Sequence, residues 1–142
     1  MKLFTLVLAV VLCVGVISVI SAEAAPLLVG TWTGNWGGTM ENPMRLVVEN
    51  HKGEKATGTI VLTRDGKDTQ FVFTAVTSLR DGKLALRIEK LVLLITVPTA
   101  IGTKTIEKET AIAFNLVLTD EIMLEGKGKS DRHEGPVRLT RQ

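Results

Sequence analysis

Apolar and polar residues alternate along most of this chain, and the clearest case is residues 27–36, Leu-Leu-Val-Gly-Thr-Trp-Thr-Gly-Asn-Trp. A period of two is typical of a half-buried β-strand, in which successive side chains point to opposite faces. Trp32 and Trp36 fall on the same face. We therefore expect both indoles to point into a core, with Gly30 and Gly34 allowing neighbouring groups to approach the backbone closely.

The same alternation continues downstream and predicts further strands. Each of these segments carries apolar or glycine residues at every second position, and this face is expected to point inward. The segments are residues 44–48, 58–62, 71–75, 84–88, 112–118, 122–126 and 137–139.

Short polar turns separate these segments. Asp65-Gly66 and Asp81-Gly82 are strong hairpin signals, because both residue types tolerate the positive φ of a tight primed turn. The alternation of Leu84, Leu86 and Ile88 would place Lys90 inside, yet the apolar positions then move to odd numbers. This change of parity predicts a β-bulge near Glu89 and Lys90.

Two segments leave more than one interpretation open. Residues 91–97 are an uninterrupted apolar run before Pro98, which suits a strand covered on both sides. One face is expected to line the interior and the other to need a partner subunit or a packed loop. Residues 106–118 contain helix-favouring glutamate, lysine and alanine, but the alternation that ends this segment favours a strand over a helix.

Many sequential strands with one apolar face each must hide their edges, and closure of the sheet is the simplest solution. The sequence therefore predicts an all-β domain. We expect a single antiparallel up-and-down β-barrel of eight or nine strands, following an N-terminal signal peptide.

The N-terminus is expected to be a secretory signal peptide. Lys2 precedes an apolar run over residues 3–20, and small residues follow up to Ala25. This predicts residues 1–24 as the signal peptide and residues 25–142 as the barrel domain, which would be secreted or periplasmic. The alternative is a membrane-anchored protein that keeps this segment uncleaved, because its length nearly suffices to cross a bilayer.

Charge and cysteine content exclude several function classes. The single cysteine, Cys13, lies inside the predicted signal peptide, so the domain would have neither disulfide nor thiol chemistry. The formal net charge of +2 is too small to indicate binding to nucleic acid or to an anionic membrane.

The Gly30-x-Trp32 motif resembles the N-terminal signature of the calycin superfamily, which includes lipocalins and avidin-like proteins. The resemblance implies that Trp32 seals one barrel end and that a basic residue of the last strand, Arg138 or Arg141, packs across its ring. The wider pattern, with Trp32-x-Gly34, Asp81-Gly82-Lys83-Leu84 and Leu124-x-Gly126, also resembles an uncharacterised bacterial exported β-domain. Two tryptophans and no tyrosine argue against the biotin site of avidin-like proteins.

Residues with catalytic or metal-binding potential are few. His51 and His133 lie in polar turns beside Glu54 and Glu134, whereas a metal site needs three or four convergent ligands. Ser130, Asp131 and His133 contain the groups of a nucleophilic triad, but they share one loop, and triads draw on separate rigid elements. We expect no enzyme activity, no metal and no cofactor.

These observations favour a non-enzymatic barrel that binds a small hydrophobic ligand in its interior. The expected ligand-binding residues are Trp32, Trp36, Leu46, Phe73, Leu86 and Phe114, and the expected barrel-closing residues are Gly30, Trp32, Arg138 and Arg141. The alternative is a protein-interaction or inhibitor module of the cell envelope. Residues 91–97 would then contact a second copy of the chain or an envelope protein.

Overall fold

The computed structural model describes residues 28–38 and 41–142, and the predicted signal peptide, residues 1–24, lies outside them. Within this part of the chain there are nine strands and no helix. The strands are β1 (Gly30–Trp36), β2 (Asn42–Lys52), β3 (Lys55–Arg64), β4 (Lys67–Arg80), β5 (Lys83–Thr99), β6 (Gly102–Thr110), β7 (Ala113–Asp120), β8 (Met123–Lys129) and β9 (Glu134–Arg141).

Eight of these strands close into an antiparallel barrel, which confirms the predicted fold class. Neighbours run in the order β4-β3-β2-β1-β9-β8-β7-β5, and β4 pairs with β5 to close the ring. All pairings are antiparallel. Strand β6 is the extra strand, and it pairs only with β5. Residues 106–118 are therefore extended rather than helical. Residues 106–110 belong to β6 and residues 113–118 belong to β7.

The predicted turns and the predicted bulge are present. Asp65-Gly66 and Asp81-Gly82 have positive φ at both residues, as a type I′ hairpin turn requires. In the β4–β5 ladder Thr74 faces Lys90 whereas Ala75 faces Ile88, so Glu89 is the additional residue. This bulge moves the inward face of β5 from even to odd positions, and both Ile88 and Leu91 are buried.

The interior is packed with the alternating apolar side chains of all eight barrel strands. Trp32, Phe73 and Phe114 are the largest fully buried side chains. Leucines and isoleucines from neighbouring strands fill the space between these rings, including Leu46, Ile60, Leu86, Ile88, Leu116, Leu124 and Leu139. An eight-stranded barrel has a lumen just wide enough for such filling.

The β5–β6 hairpin leaves the barrel after Leu93. Residues 91–93 pair with both β4 and β6, whereas residues 94–99 pair with β6 alone. The expectation that one face of residues 91–97 lines the interior is therefore wrong beyond Leu93. Alternation predicts an extended strand, but it does not reveal where a strand separates from its neighbour. We call residues 94–107 the projecting hairpin.

Several barrel glycines are required because neighbouring backbone occupies the place of a side chain. A Cβ added at Gly126 would lie 1.8 Å from the carbonyl oxygen of Asn115. A contact this short cannot be relieved by a side-chain rotation, since its partner is the main chain of β7. The neighbouring strands can therefore approach this closely only with glycine at position 126.

We expect Gly126→Ala to lower the free energy of unfolding by about 2–3 kcal/mol, in the upper range of overpacking effects. Gly53→Asn is the matched control, because a Cβ at Gly53 meets nothing within 4 Å and asparagine tolerates its φ of 56°. Urea denaturation of both variants measures the difference. Equal stability of the two variants would contradict the argument.

Candidate functional site

The up-and-down topology gives the barrel two ends with different structures. The end near Trp32 carries the turns after β2, β4 and β7 together with the last residues of the chain. The end near Trp36 carries the turns after β3 and β8 and the projecting hairpin. We call these the Trp32 end and the Trp36 end.

At the Trp32 end, an indole and a guanidinium stack over the core. Trp32 is fully buried, and its Nε1 donates a hydrogen bond to the carbonyl of Leu28 at 3.1 Å. The guanidinium carbon of Arg141 lies 4.5 Å from the centroid of the Trp32 ring. Gly30 adopts a φ of +144° beside this arginine, and a Cβ there would be 3.5 Å from Arg141 Nη1. Gly30, Trp32 and Arg141 thus form one cluster.

Arg138, the other predicted closing residue, lies elsewhere. Its side chain is 73% exposed, and its Nε lies 3.4 Å from a carboxylate oxygen of Glu125 on the neighbouring strand. Arg141 instead donates from Nη1 to the carbonyl of Val29 and from Nε to that of Glu121. Of the two arginines, Arg141 is therefore the one that can hold the Trp32 ring.

At the Trp36 end, aromatic rings meet edge to face. The ring of Trp36 lies 5.0 Å from that of Phe114 and 4.7 Å from that of His133, both in T-shaped geometry. Trp36 Nε1 donates to the carbonyl of Gly128 at 3.3 Å. A Cβ at Gly128 would lie 2.5 Å from the Phe114 ring, so glycine is required for this packing. The cluster gives this end a rigid apolar floor.

The β8–β9 turn is fixed by its own hydrogen bonds. Ser130 Oγ accepts from the backbone N–H of His133 at 3.1 Å, and His133 Nε2 donates to the carbonyl of Gly37 at 2.8 Å. The Ser130 hydroxyl and the His133 ring thus both bond to backbone groups rather than to each other. Asp131 is exposed in the same turn. This geometry lacks the nucleophile-to-base hydrogen bond that a triad needs.

A pocket of about 190 Å³ opens above the aromatic floor, and we call it the mouth pocket. Its apolar wall comes from β1, β3, β4 and the β6–β7 connection, and its polar groups come from β2, β3, β4 and the β8–β9 turn. Its lining residues are Trp36, Asn42, Leu62, Arg64, Thr69, Phe71, Ile112, Ser130, Arg132 and His133.

A second, more open depression of about 500 Å³ lies against the base of the projecting hairpin. The residues that it shares with the mouth pocket are Arg64, Ile112, Ser130 and Arg132. The two concavities therefore adjoin. The Trp36 end therefore presents a continuous concave surface, apolar in depth and charged at the rim.

Five of the six predicted ligand-binding residues lie in the packed interior. Trp32, Leu46, Phe73, Leu86 and Phe114 are each at most 1% exposed, and they contact other core side chains. Trp36 is the sixth, and it lines the mouth pocket. The role of all six in binding a ligand stays a prediction.

The sequence did not indicate that Arg64, Ile112 and Arg132 line one pocket with Trp36. Arg64 precedes the Asp65-Gly66 turn, Arg132 lies in the β8–β9 turn, and Ile112 lies between β6 and β7. Alternate turns of an up-and-down barrel meet at the same end. The order of the turns therefore places Arg64 and Arg132 at the same end of the barrel, but it does not show that they line one pocket.

The two histidines lie at opposite ends of the barrel. His51 Nε2 is 3.1 Å from Thr77 Oγ1 near the Trp32 end, whereas His133 packs on Trp36. Among residues 28–38 and 41–142, no group of three or more histidine, cysteine or carboxylate side chains is placed to hold a metal ion. The same residues contain no helix that is long and apolar enough to cross a membrane.

Comparisons with protein-family models, with curated proteins and with solved structures gave no match. The closed antiparallel barrel of eight strands with one extra strand is consistent with a calycin-like barrel.

We expect Arg141→Gln to reduce the free energy of unfolding by about 1–2 kcal/mol, because it removes the cation from the Trp32 face and two hydrogen bonds to carbonyl groups. Arg138→Gln is the matched control on the same strand. Its exposed ion pair should contribute less than about 0.5 kcal/mol. Urea denaturation measures both, and equal losses would show that Arg141 does not hold the Trp32 ring in place.

Proposed function

We propose that this protein is a secreted or periplasmic, non-enzymatic barrel of calycin-like type that binds a small hydrophobic ligand. The closed barrel and the arginine-capped tryptophan at its Trp32 end support the assignment to this type. The predicted signal peptide supports export. No catalytic step is part of the proposal.

The ligand site that we propose is the mouth pocket rather than the interior of the barrel. The fully buried rings of Trp32, Phe73 and Phe114 occupy the interior. The mouth pocket instead offers about 190 Å³ bounded by Trp36, Phe71 and Ile112. A cavity of about 150 Å³ already accommodates benzene, so this volume suits a single ring or a short alkyl chain. The apolar floor of this pocket is the observation that carries the proposal.

Binding of straight-chain alcohols tests this site. Titration of the purified protein with 1-hexanol, 1-heptanol and 1-octanol should change the tryptophan emission, with affinity rising about fourfold per methylene while the chain fits. Trp36 lines the pocket whereas Trp32 is buried at the other end. The emission change should therefore disappear in Trp36→Phe.

A matched pair of isoleucine variants locates the ligand. Ile112→Asn should weaken binding at least about fivefold, because Ile112 forms part of the apolar wall. Ile122→Asn should leave binding unchanged, since Ile122 is exposed in the turn after β7 at the Trp32 end. Equal affinities of the two variants, or the absence of any alcohol binding, would contradict the proposal.

A second candidate function is a protein-interaction or inhibitor module of the cell envelope. The projecting hairpin supports it, because its strands have no neighbour beyond each other. Ile95, Ile101 and Ile106 are exposed, and Ile101 at the tip is 100% exposed. Residues 94–97, the second half of the apolar run 91–97, lie in the first strand of this hairpin. A second copy of the chain or an envelope protein would cover them.

Sedimentation velocity over a range of concentrations tests self-association through this hairpin. We expect oligomers that dissociate in the Ile95→Lys/Ile101→Lys variant, because a buried charge would oppose the contact. The exposed residue Leu79, near the end of β4, provides the control Leu79→Lys, which should associate normally. A protein that is monomeric at every concentration would rule out association with a second copy.

A further inference from the structure

The rim of the mouth pocket carries charge of one sign. Arg64 and Arg132 line the pocket, and no aspartate or glutamate is among its lining residues. The uncharged groups of Asn42 and Thr69 add hydrogen-bonding capacity on the same wall. A molecule that places its apolar part on the floor would therefore meet two guanidinium groups where it emerges.

Neither arginine is neutralised by an ion pair. In the part of the chain that the structure describes, the ion pairs are Arg87 with Glu89 and Arg138 with Glu125, and both lie outside the pocket. Arginine presents its N–H groups in a planar fork that suits the oxygens of carboxylates and phosphates. Two such groups at one mouth form a suitable receptor for an anionic head.

The depression beside the mouth pocket also carries more cationic than anionic side chains. Lys108, Glu109 and Asp131 line the neighbouring depression together with the same two arginines, so its lining contains three cationic and two anionic side chains. Glu109 and Asp131 therefore reduce the positive potential without cancelling it.

From this arrangement we infer that the mouth pocket takes a small amphiphile with an anionic head, a carboxylate or a phosphate ester on a short acyl chain or a single ring. The inference rests on the proposed function, since it concerns the same pocket. The apolar part contacts Trp36, Phe71 and Ile112. The head lies between Arg64 and Arg132. The volume of about 190 Å³ suits a single ring or a short alkyl chain as the apolar part, since a cavity of about 150 Å³ already accommodates benzene.

Three probes with the same tail test the inference by tryptophan emission at neutral pH and low salt. They are 1-octanol, nonanoate and octyl phosphate, which all carry an octyl chain. We expect one or both anions to bind at least about fivefold more tightly than the alcohol, as charge-assisted hydrogen bonds at an exposed rim predict. The better anion distinguishes a carboxylate from a phosphate ligand.

Arginine variants then assign this preference to the rim. In Arg64→Gln/Arg132→Gln the anions should bind no more tightly than 1-octanol binds to the same variant. Arg80→Gln/Arg138→Gln removes the same net charge from exposed sites outside the pocket and should keep the preference.

The outcomes separate the two proposals. If 1-octanol binds and the anions bind no more tightly in the unmodified protein, the inferred anionic head is wrong and the hydrophobic site remains. The same conclusion follows if Arg64→Gln/Arg132→Gln and Arg80→Gln/Arg138→Gln lose the preference for anions over 1-octanol equally. If none of the three probes binds, the proposed function itself fails.

Discussion

The pairing of β4 with β5 is the contact on which the rest of the structure depends. Without it the strands would form an open sheet with two unprotected edges and one exposed apolar face. With it, the inward residues of eight strands share one core. The Glu89 bulge makes the pairing compatible with the sequence, because it keeps both Ile88 and Leu91 inside although they differ in parity.

Closure and close packing together restrict where a ligand could bind. The core side chains meet in the middle of the barrel, and Arg141 over Trp32 covers one end. The other end has a firm aromatic floor, but its rim is made of turns that leave a concavity between them. The mouth pocket therefore lies at the Trp36 end, above this floor.

The strands, the hairpin turns and the bulge could be predicted from the sequence because each depends on residues close together in the chain. Alternating residues such as Met44, Leu46 and Val48 show directly which face is buried. The mouth pocket could not be predicted in this way, since Arg64 and Arg132 come together only through the order of the turns. The end of the β4–β5 pairing at Leu93 could not be predicted for a related reason. An apolar run has the same sequence pattern whether the strand pairs with one neighbour or with two.

The bulge at Glu89 also separates two parts of one long strand. The first part of β5 belongs to the ring through β4 and β7, and the last part belongs to a two-stranded arm that touches the ring only at its root. Insertions or deletions at the tip, around Ala100 and Ile101, would change the reach of that arm while leaving every barrel contact in place. The length and sequence of the projecting hairpin can thus change without disturbing the barrel, as those of surface loops do on a conserved scaffold.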